Sequence, residues 1–320
     1  MKVLIGPNSF GLERCIKELS PAYPDVEFAF CESPAEIKDA IADVEVYMGW
    51  LSRDVFLAAK KLKWIQSPSS GINYYIAIPE LVASDVLLTS ARGTHGACLA
   101  EHTLAMILAF TRHIRDYVRH QETHTWSARA LRGKMVELTG MTLGIIGFGA
   151  VGRAIAKRAA AFDMNIMAVD MFPQNPPEYV TSLAGLDGLN ALLGQADYVV
   201  VTVPYTEQTD GMIGAAEIAK MKPSAMLIGI SRGGIVDESA LVSALREGRL
   251  AAAALDVFDK EPLPTESELW DVENLLITPH VAGGSQYECD HILDIFRENL
   301  GRFVRGELPL RNQIDKQRGF

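Results

Sequence analysis

The chain has 320 residues, 48% of them hydrophobic and 22% charged, which is the composition of a globular protein long enough to bury two cores. Its formal net charge of −10 argues against a nucleic-acid partner, which calls for a basic face. Cys15, Cys31, Cys98 and Cys289 lack C-x-x-C spacing and no apolar run reaches the ~18 residues of a membrane helix, so disulfide scaffold, zinc site and membrane span are all disfavoured.

The first residues enter a strand-like KVLIG (2–6) with no secretory h-region, and a cytoplasmic protein is the expectation. VEFAF (26–30), VEVYMG (44–49), LKWIQS (62–67) and VLLTS (86–90) read as further strands. Helices are predicted near Gly11–Leu19, Pro34–Ile41 and Ser52–Lys60, the latter two opened by serine caps. Strand–helix alternation of this kind builds a parallel sheet with crossover helices. The stretch SPSSG (67–71) is a turn at a strand end, and its exposed backbone N–H groups would suit a small carboxylate.

From Gly96 to about Thr125 the pattern predicts one long helix, apolar almost all round in its first half. Glu101 and His102 stand inside that apolar half and require partners. His113, His120 and His124 fit a solvated face better than a metal site. WSARALRGKMVELTG (126–140) reads as an irregular arm.

The most informative stretch follows, TLGIIGFGAVGRAIAKRAAAFDMNIMAVD (142–170). An apolar strand leads into Gly147, Gly149 and Gly152 in G-x-G-x-x-G spacing, then an Ala-rich helix, then a second strand ending on Asp170. One glycine permits the tight turn, one lets the backbone approach a pyrophosphate, and one lets helix and strand pack closely. The helix N-terminus then faces the anion. Gly147, Gly149, Ala150, Val151 and Gly152 are therefore candidate cofactor-binding residues, and Asp170 is placed to take the ribose hydroxyls. Strand, glycines, helix, strand and acid in register point to an NAD-type site.

Beyond Asp170 comes a Pro-rich loop, FPQNPPEY (172–179), and the alternation resumes. LDGLNALLGQA (186–196), GAAEIAKM (214–221) and VDESALVSALREG (236–248) read as helices. YVVVTVP (198–204), AMLIGIS (225–231), AAAALDVF (251–258) and NLLITP (274–279) read as strands. Gln286 to Arg305 is a last helix that returns to the first unit, and the tail RNQIDKQRGF reads as polar and loose. The expected fold is α/β: two Rossmann-like, doubly wound parallel-sheet domains with the active site in the cleft between them. Residues 1–95 plus 285–320 would form a flavodoxin-like substrate domain and residues 96–284 the NAD domain.

Three polar residues follow strands of the second sheet. Arg232 is flanked by Gly233 and Gly234 and could fork a carboxylate or keto oxygen, or simply tie down a neighbouring acid. His280 ends ITPH; its imidazole titrates closest to neutrality and suits proton donation to a carbonyl being reduced. Glu261, in DKEPLP, would matter by accepting a hydrogen bond from that imidazole, fixing its tautomer and stabilising its protonated form.

The blocks EHTLAMILAFTR, TLGIIGFGAVGRAIA, TVPYTEQTDGMIG, ISRGGIVDESAL, ALDVFDKEPLP and ITPHVAGGS, in this order, resemble the D-2-hydroxyacid dehydrogenase family. That family includes phosphoglycerate dehydrogenases and glyoxylate/hydroxypyruvate reductases. The resemblance implies that Arg232, Glu261 and His280 are catalytic, with Arg232 holding the substrate, His280 donating the proton and Glu261 supporting it. It implies that Val203, Pro204, Ile230, Asp256 and Gly283 line the cofactor site, with Asp256 near the nicotinamide amide. Ser69, Ser70 and Gly71 match the turn that binds the substrate carboxylate. A homodimer is implied, formed through the cofactor domain, the long helix and the arm. Ala150, where many relatives carry Arg or another polar residue, and Tyr205, where Leu is common, depart from the pattern without touching the catalytic set. The expected activity is hydride transfer between NAD(H) and a small 2-oxoacid or D-2-hydroxyacid. Formate dehydrogenase relatives have Gln at Glu261 and are disfavoured; phosphite dehydrogenases share the three catalytic residues. The C-terminal binding protein corepressors, NAD-responsive binding modules, resemble the chain too.

Overall fold

A computed structural model of the chain describes residues 1–318. The chain divides into two units, Met1–His95 with Ser285–Phe320, and Gly96–Gly284. In the first, β1 (Lys2–Ile5), β2 (Glu27–Phe30), β3 (Val46–Met48), β4 (Trp64–Gln66) and β5 (Leu87–Thr89) form a sheet in the order β2-β1-β3-β4-β5. Every pairing is parallel. Side chains alternate between two buried faces: Leu4, Tyr47, Ile65 and Leu88 on one, Val3, Ile5, Val46, Met48 and Trp64 on the other. Phe296, from the helix Glu288–Val304, stacks on Trp64 with ring centroids 5.4 Å apart.

The second unit contains β6 (Thr142–Ile146), β7 (Asn165–Val169), β8 (Ser182–Ala184), β9 (Tyr198–Val201), β10 (Met226–Gly229), β11 (Ala252–Leu255) and β12 (Leu275–Ile277). They pair in parallel in the order β12-β11-β10-β9-β6-β7-β8. Here too both faces are covered. Ile146, Val199, Val201 and Leu227 enter one apolar cluster, and Leu143, Ile145, Val200 and Ile228 the other. Two doubly wound parallel sheets are the fold class expected from the strand–helix alternation.

Several local expectations are corrected. The long helix from Gly96 is two helices, Gly96–Thr111 and Ile114–Glu122, because His113 adopts a left-handed φ of 54° that interrupts the ladder. The arm contains a short helix, Ala128–Arg132. β8 was hidden behind the Pro-rich loop, its three residues too few to show a period. Of the two serine caps, Ser52 accepts from the Val55 N–H at 3.4 Å, whereas the Ser33 hydroxyl donates to Glu36 instead. The tail is docked as far as it is described. Ile314 N donates to Leu88 O at 2.8 Å, Gln313 bridges Thr89, and Leu310 and Ile314 are buried. Gly319 and Phe320 of that tail lie outside the described residues.

Candidate active site

Because β6 to β12 are all parallel, their C-terminal ends share one edge of the sheet. The chain steps outward from β6 to β7 and β8, then returns to β9 beside β6, which makes β6/β9 the switch point where such sheets bind ligands. The glycine turn lies there. Gly147 has φ 96°, and its N–H donates to Val169 O at 2.8 Å. A Cβ on Gly152 would lie 2.3 Å from Gly147 O, so the helix Ala150–Ala160 presses on the strand end as only glycine allows. A Cβ on Gly149 would meet nothing within 4 Å, which leaves that backbone open to an approaching phosphate. Ala150 and Val151 are in the first turn of the helix. These features fit the pyrophosphate of a dinucleotide.

Asp170 follows β7, its Oδ2 accepting from Phe148 N at 2.6 Å and its Oδ1 from Phe172 N at 2.8 Å. The carboxylate is thereby held beside the glycine turn with lone pairs remaining. Val203, after β9, packs against Gly147, and exposed Pro204 accepts at its carbonyl from the Thr209 hydroxyl at 2.7 Å. Ile230 is buried just after β10.

Glu261 and His280 are brought together: His280 Nδ1 lies 2.7 Å from Glu261 Oε2. The other carboxylate oxygen of Glu261 accepts from Phe258 N at 2.9 Å, which anchors it to the loop after β11. His280 itself has φ 54°, a left-handed conformation rare for a side-chain-bearing residue. Arg232 donates from Nη1 to Ser231 O at 2.6 Å, and its turn lies against the one carrying Glu261. A Cβ on Gly233 would be 1.9 Å from Phe258 O, and Gly234 N donates to Asp259 Oδ1 at 2.6 Å. Glu238 Oε1 accepts from Asp259 N at 2.8 Å, closing the link between the two turns. Burial, and then the charges of Asp259, Asp237 and Glu261, hold the Glu238 carboxyl above its ordinary pKa despite that N–H.

Asp256 is 1% exposed, and its carboxylate accepts from the Thr278 hydroxyl at 2.6 Å, Val281 N at 3.0 Å and Ala282 N at 2.9 Å. Gly283 O accepts from the Cys98 thiol at 3.1 Å.

In the first unit, the Ser69–Gly71 turn follows β4, but its N–H groups are less available than its composition suggests. Ser69 N donates to Ser67 Oγ at 3.1 Å and Gly71 N to Ser69 Oγ at 3.2 Å. Serine hydroxyls thus compete for the backbone, the reason such residues favour turns. Ser70 Oγ donates to Ala91 O at 3.1 Å and lies 2.8 Å from His95 Nδ1.

Sequence reasoning missed Arg153 and Thr278. The Arg153 guanidinium covers the Phe148 ring at 4.7 Å and donates to Gln174 O at 2.8 Å and Asn175 O at 3.3 Å, joining the glycine turn to the loop after Asp170. The partners required for Glu101 and His102 are Arg158, 3.0 Å from Glu101 Oε1, and Thr278, 3.0 Å from His102 Nε2. The i, i+4 spacing of helix contacts does not reveal such long-range pairs.

Fold and glycine turn define a dinucleotide-binding domain of the doubly wound class. Residues 104–282 match the family model described as D-isomer specific 2-hydroxyacid dehydrogenase, NAD binding domain. The chain belongs to the D-isomer specific 2-hydroxyacid dehydrogenase family. It is 34% identical over 290 residues to D-3-phosphoglycerate dehydrogenase of Methanocaldococcus jannaschii, covering 89% of this chain and 54% of that protein. It thus spans about half the length of that relative. With glyoxylate reductase of Korarchaeum cryptofilum it shares 33% identity over 85% of this chain and 82% of the other. Among solved structures, the NADPH-dependent glyoxylate/hydroxypyruvate reductase of Sinorhizobium meliloti, in complex with NADP and sulfate, has a TM-score of 0.85 at 28% identity, with 100% of each chain covered. Among the described residues no helix is long and apolar enough to cross a membrane, and no group of three or more His, Cys, Asp and Glu could hold a metal.

Proposed function

We propose that the chain is an NAD(H)-dependent oxidoreductase interconverting a small 2-oxoacid and the matching D-2-hydroxyacid, with Arg232, Glu261 and His280 as its catalytic residues. The observation carrying this reading is the 2.7 Å contact between His280 Nδ1 and Glu261 Oε2, on the sheet edge that also bears the dinucleotide turn. The nicotinamide, when bound, supplies or accepts the hydride. Gly147, Gly149 and Gly152 hold the pyrophosphate and Asp170 the adenosine ribose, whose hydroxyls can donate to its carboxylate. That carboxylate disfavours a 2′-phosphate and so favours NAD over NADP.

With Nδ1 directed to Glu261, His280 offers Nε2 to the substrate. In reduction the doubly protonated ring gives its Nε2 proton to the carbonyl oxygen as the carbon receives hydride, and in oxidation the free Nε2 takes the hydroxyl proton. By accepting from Nδ1–H throughout, Glu261 makes Nε2 the nitrogen that loses and regains the proton. The Arg232 guanidinium binds the substrate's carboxylate and oxo groups, a role its planar fork of donors suits. We assign carboxylate binding to Ser69, Ser70 and Gly71 of the first unit, where the substrate would replace the serine hydroxyls that now accept from Ser69 N and Gly71 N, and we assign that unit the substrate-binding role. The glyoxylate reductase relative supports a substrate of few atoms.

The protein is read as a cytoplasmic homodimer with no nucleic-acid or membrane partner. Trp126 is 97% exposed, and Ile114 and Val118, one turn apart, expose 52% and 50% of their surface, which supports a protein contact on this helix and arm. The test is NADH oxidation by the purified chain with glyoxylate, hydroxypyruvate, pyruvate and phenylpyruvate, and NAD reduction with phosphite. Turnover of a 2-oxoacid supports the reading. NADH binding without turnover of any of them would overturn it in favour of an NAD-responsive binding module.

A further inference from the structure

The segment bearing His280 is gripped from two sides. Beneath it, Asp256 takes hydrogen bonds from Thr278 on one flank and from Val281 and Ala282 on the other. From the helix Gly96–Thr111, His102 meets Thr278 and Cys98 meets Gly283, two residues at i and i+4 that share one face of the helix. His280 lies between these points of attachment.

Proton counting orients the network. The Thr278 hydroxyl has one proton, and the Asp256 carboxylate only accepts, so that proton goes to Asp256 Oδ1 at 2.6 Å. The Thr278 oxygen must then accept from His102 Nε2 at 3.0 Å, which fixes Nε2 as the protonated nitrogen of His102. The chain of donors runs from His102 to Thr278 to Asp256. It is anchored on a helix whose apolar residues Leu104, Met106 and Ile107 are buried. A left-handed, side-chain-bearing residue such as His280 persists only where its surroundings over-determine it.

We propose that His102 is a positioning residue for His280: its Nε2–H, through Thr278, sets the register of the turn that aims the imidazole. This rests on the reading of His280 as the proton donor. His102 touches neither substrate nor cofactor on this reading, so its loss should reach kcat through the aim of His280 and cofactor affinity only indirectly, through Asp256.

The test compares His102→Leu, which removes the donor, with His102→Gln, whose amide nitrogen can donate from a similar position. Loss of one neutral hydrogen bond predicts that His102→Leu lowers kcat for 2-oxoacid reduction about 3–10-fold, with a smaller change in KM for NADH. Amide exchange at Val281 and Ala282 should accelerate by a similar factor, while exchange in β6 and β9 stays as in wild type. His102→Gln should recover most of both effects. The proposal is overturned if His102→Leu matches wild type in kcat and in exchange, or if His102→Gln falls as far as His102→Leu. Should the wild-type chain reduce no 2-oxoacid, the reading of His280 as proton donor fails, and the exchange comparison alone decides whether His102 holds the turn.

Discussion

Glu261 uses its two carboxylate oxygens for different tasks: Oε2 meets His280 Nδ1 at 2.7 Å, while Oε1 takes the Phe258 N–H at 2.9 Å. The imidazole is therefore referenced to the backbone after β11, not merely to a mobile side chain. If His280 is the proton donor, His280→Ala should lower kcat for 2-oxoacid reduction by ~10²–10⁴-fold, the usual worth of general acid catalysis. NADH binding, measured by fluorescence titration, should be nearly unchanged. Glu261→Gln keeps an acceptor but removes the charge and should cost less than His280→Ala. Equal kcat in wild type and His280→Ala would end the assignment.

Cofactor choice is expected to depend on Asp170. Its carboxylate is fixed by the Phe148 and Phe172 N–H groups, so it cannot swing away from a 2′-phosphate. Arg153, which joins the glycine turn to the loop after Asp170, is engaged with the carbonyls of Gln174 and Asn175. The kcat/KM ratio of NADH over NADPH should exceed one in wild type. In Asp170→Ala it should narrow by roughly tenfold or more, about 1.4 kcal/mol per decade. A wild-type enzyme indifferent to the two cofactors would show that Arg153 or another group offsets the carboxylate.

What could be read from sequence followed the range of the interactions. β6, the glycine turn and Asp170 are contiguous and combine period, spacing and chemistry, so they were legible residue by residue. Glu261 and His280 were nameable as residue types at strand ends, but their meeting depends on β11 and β12 being neighbours, which no local pattern states. His102 and Thr278 lie 176 positions apart, and although each falls in a block shared with the family, no local pattern pairs them. The tail was misjudged because composition counts polar residues as loose, whereas Lys316, Gln313 and Ile314 use polar and apolar groups alike to add onto β5 and its surroundings.

The raised Glu238 carboxyl makes a prediction about stability and pH. A pKa above the ordinary value in the folded state means that the folded chain binds this proton more tightly than the unfolded one. Its contribution to stability is fully present below the unfolded pKa and is lost as pH rises through the folded value. Glu238→Gln removes the charge that is penalised there and keeps an oxygen for the Asp259 N–H. The variant should melt higher than wild type at pH 7 to 8, and the difference should shrink as pH falls toward 4. Thermal melts across that range are the check; a constant offset at every pH would mean that the carboxylate's ionisation is not the source.

Lys316 gives the docked tail its most concentrated polar attachment. Its ammonium donates to Leu81 O at 3.0 Å, Ser84 O at 2.6 Å and Val86 O at 2.8 Å, three carbonyls at the end of the helix Pro79–Ala83 and the start of β5. A cation at a helix C-terminus also meets the negative end of the helix dipole. Burial pulls the Lys316 pKa below its ordinary value, so the site depends on these carbonyls to hold the charge. Lys316→Met keeps the apolar stem and removes the ammonium, leaving the three carbonyls to find water. The expected cost is about 1–3 kcal/mol in urea unfolding of the whole chain. Faster amide exchange at Ile314, whose N–H pairs with Leu88 O, should accompany it. A Lys316→Met chain with wild-type stability and unchanged exchange at Ile314 would show that the tail is held without Lys316, by the burial of Leu310 and Ile314 and the bonds of Asn312 to the Ser90 and Arg92 carbonyls.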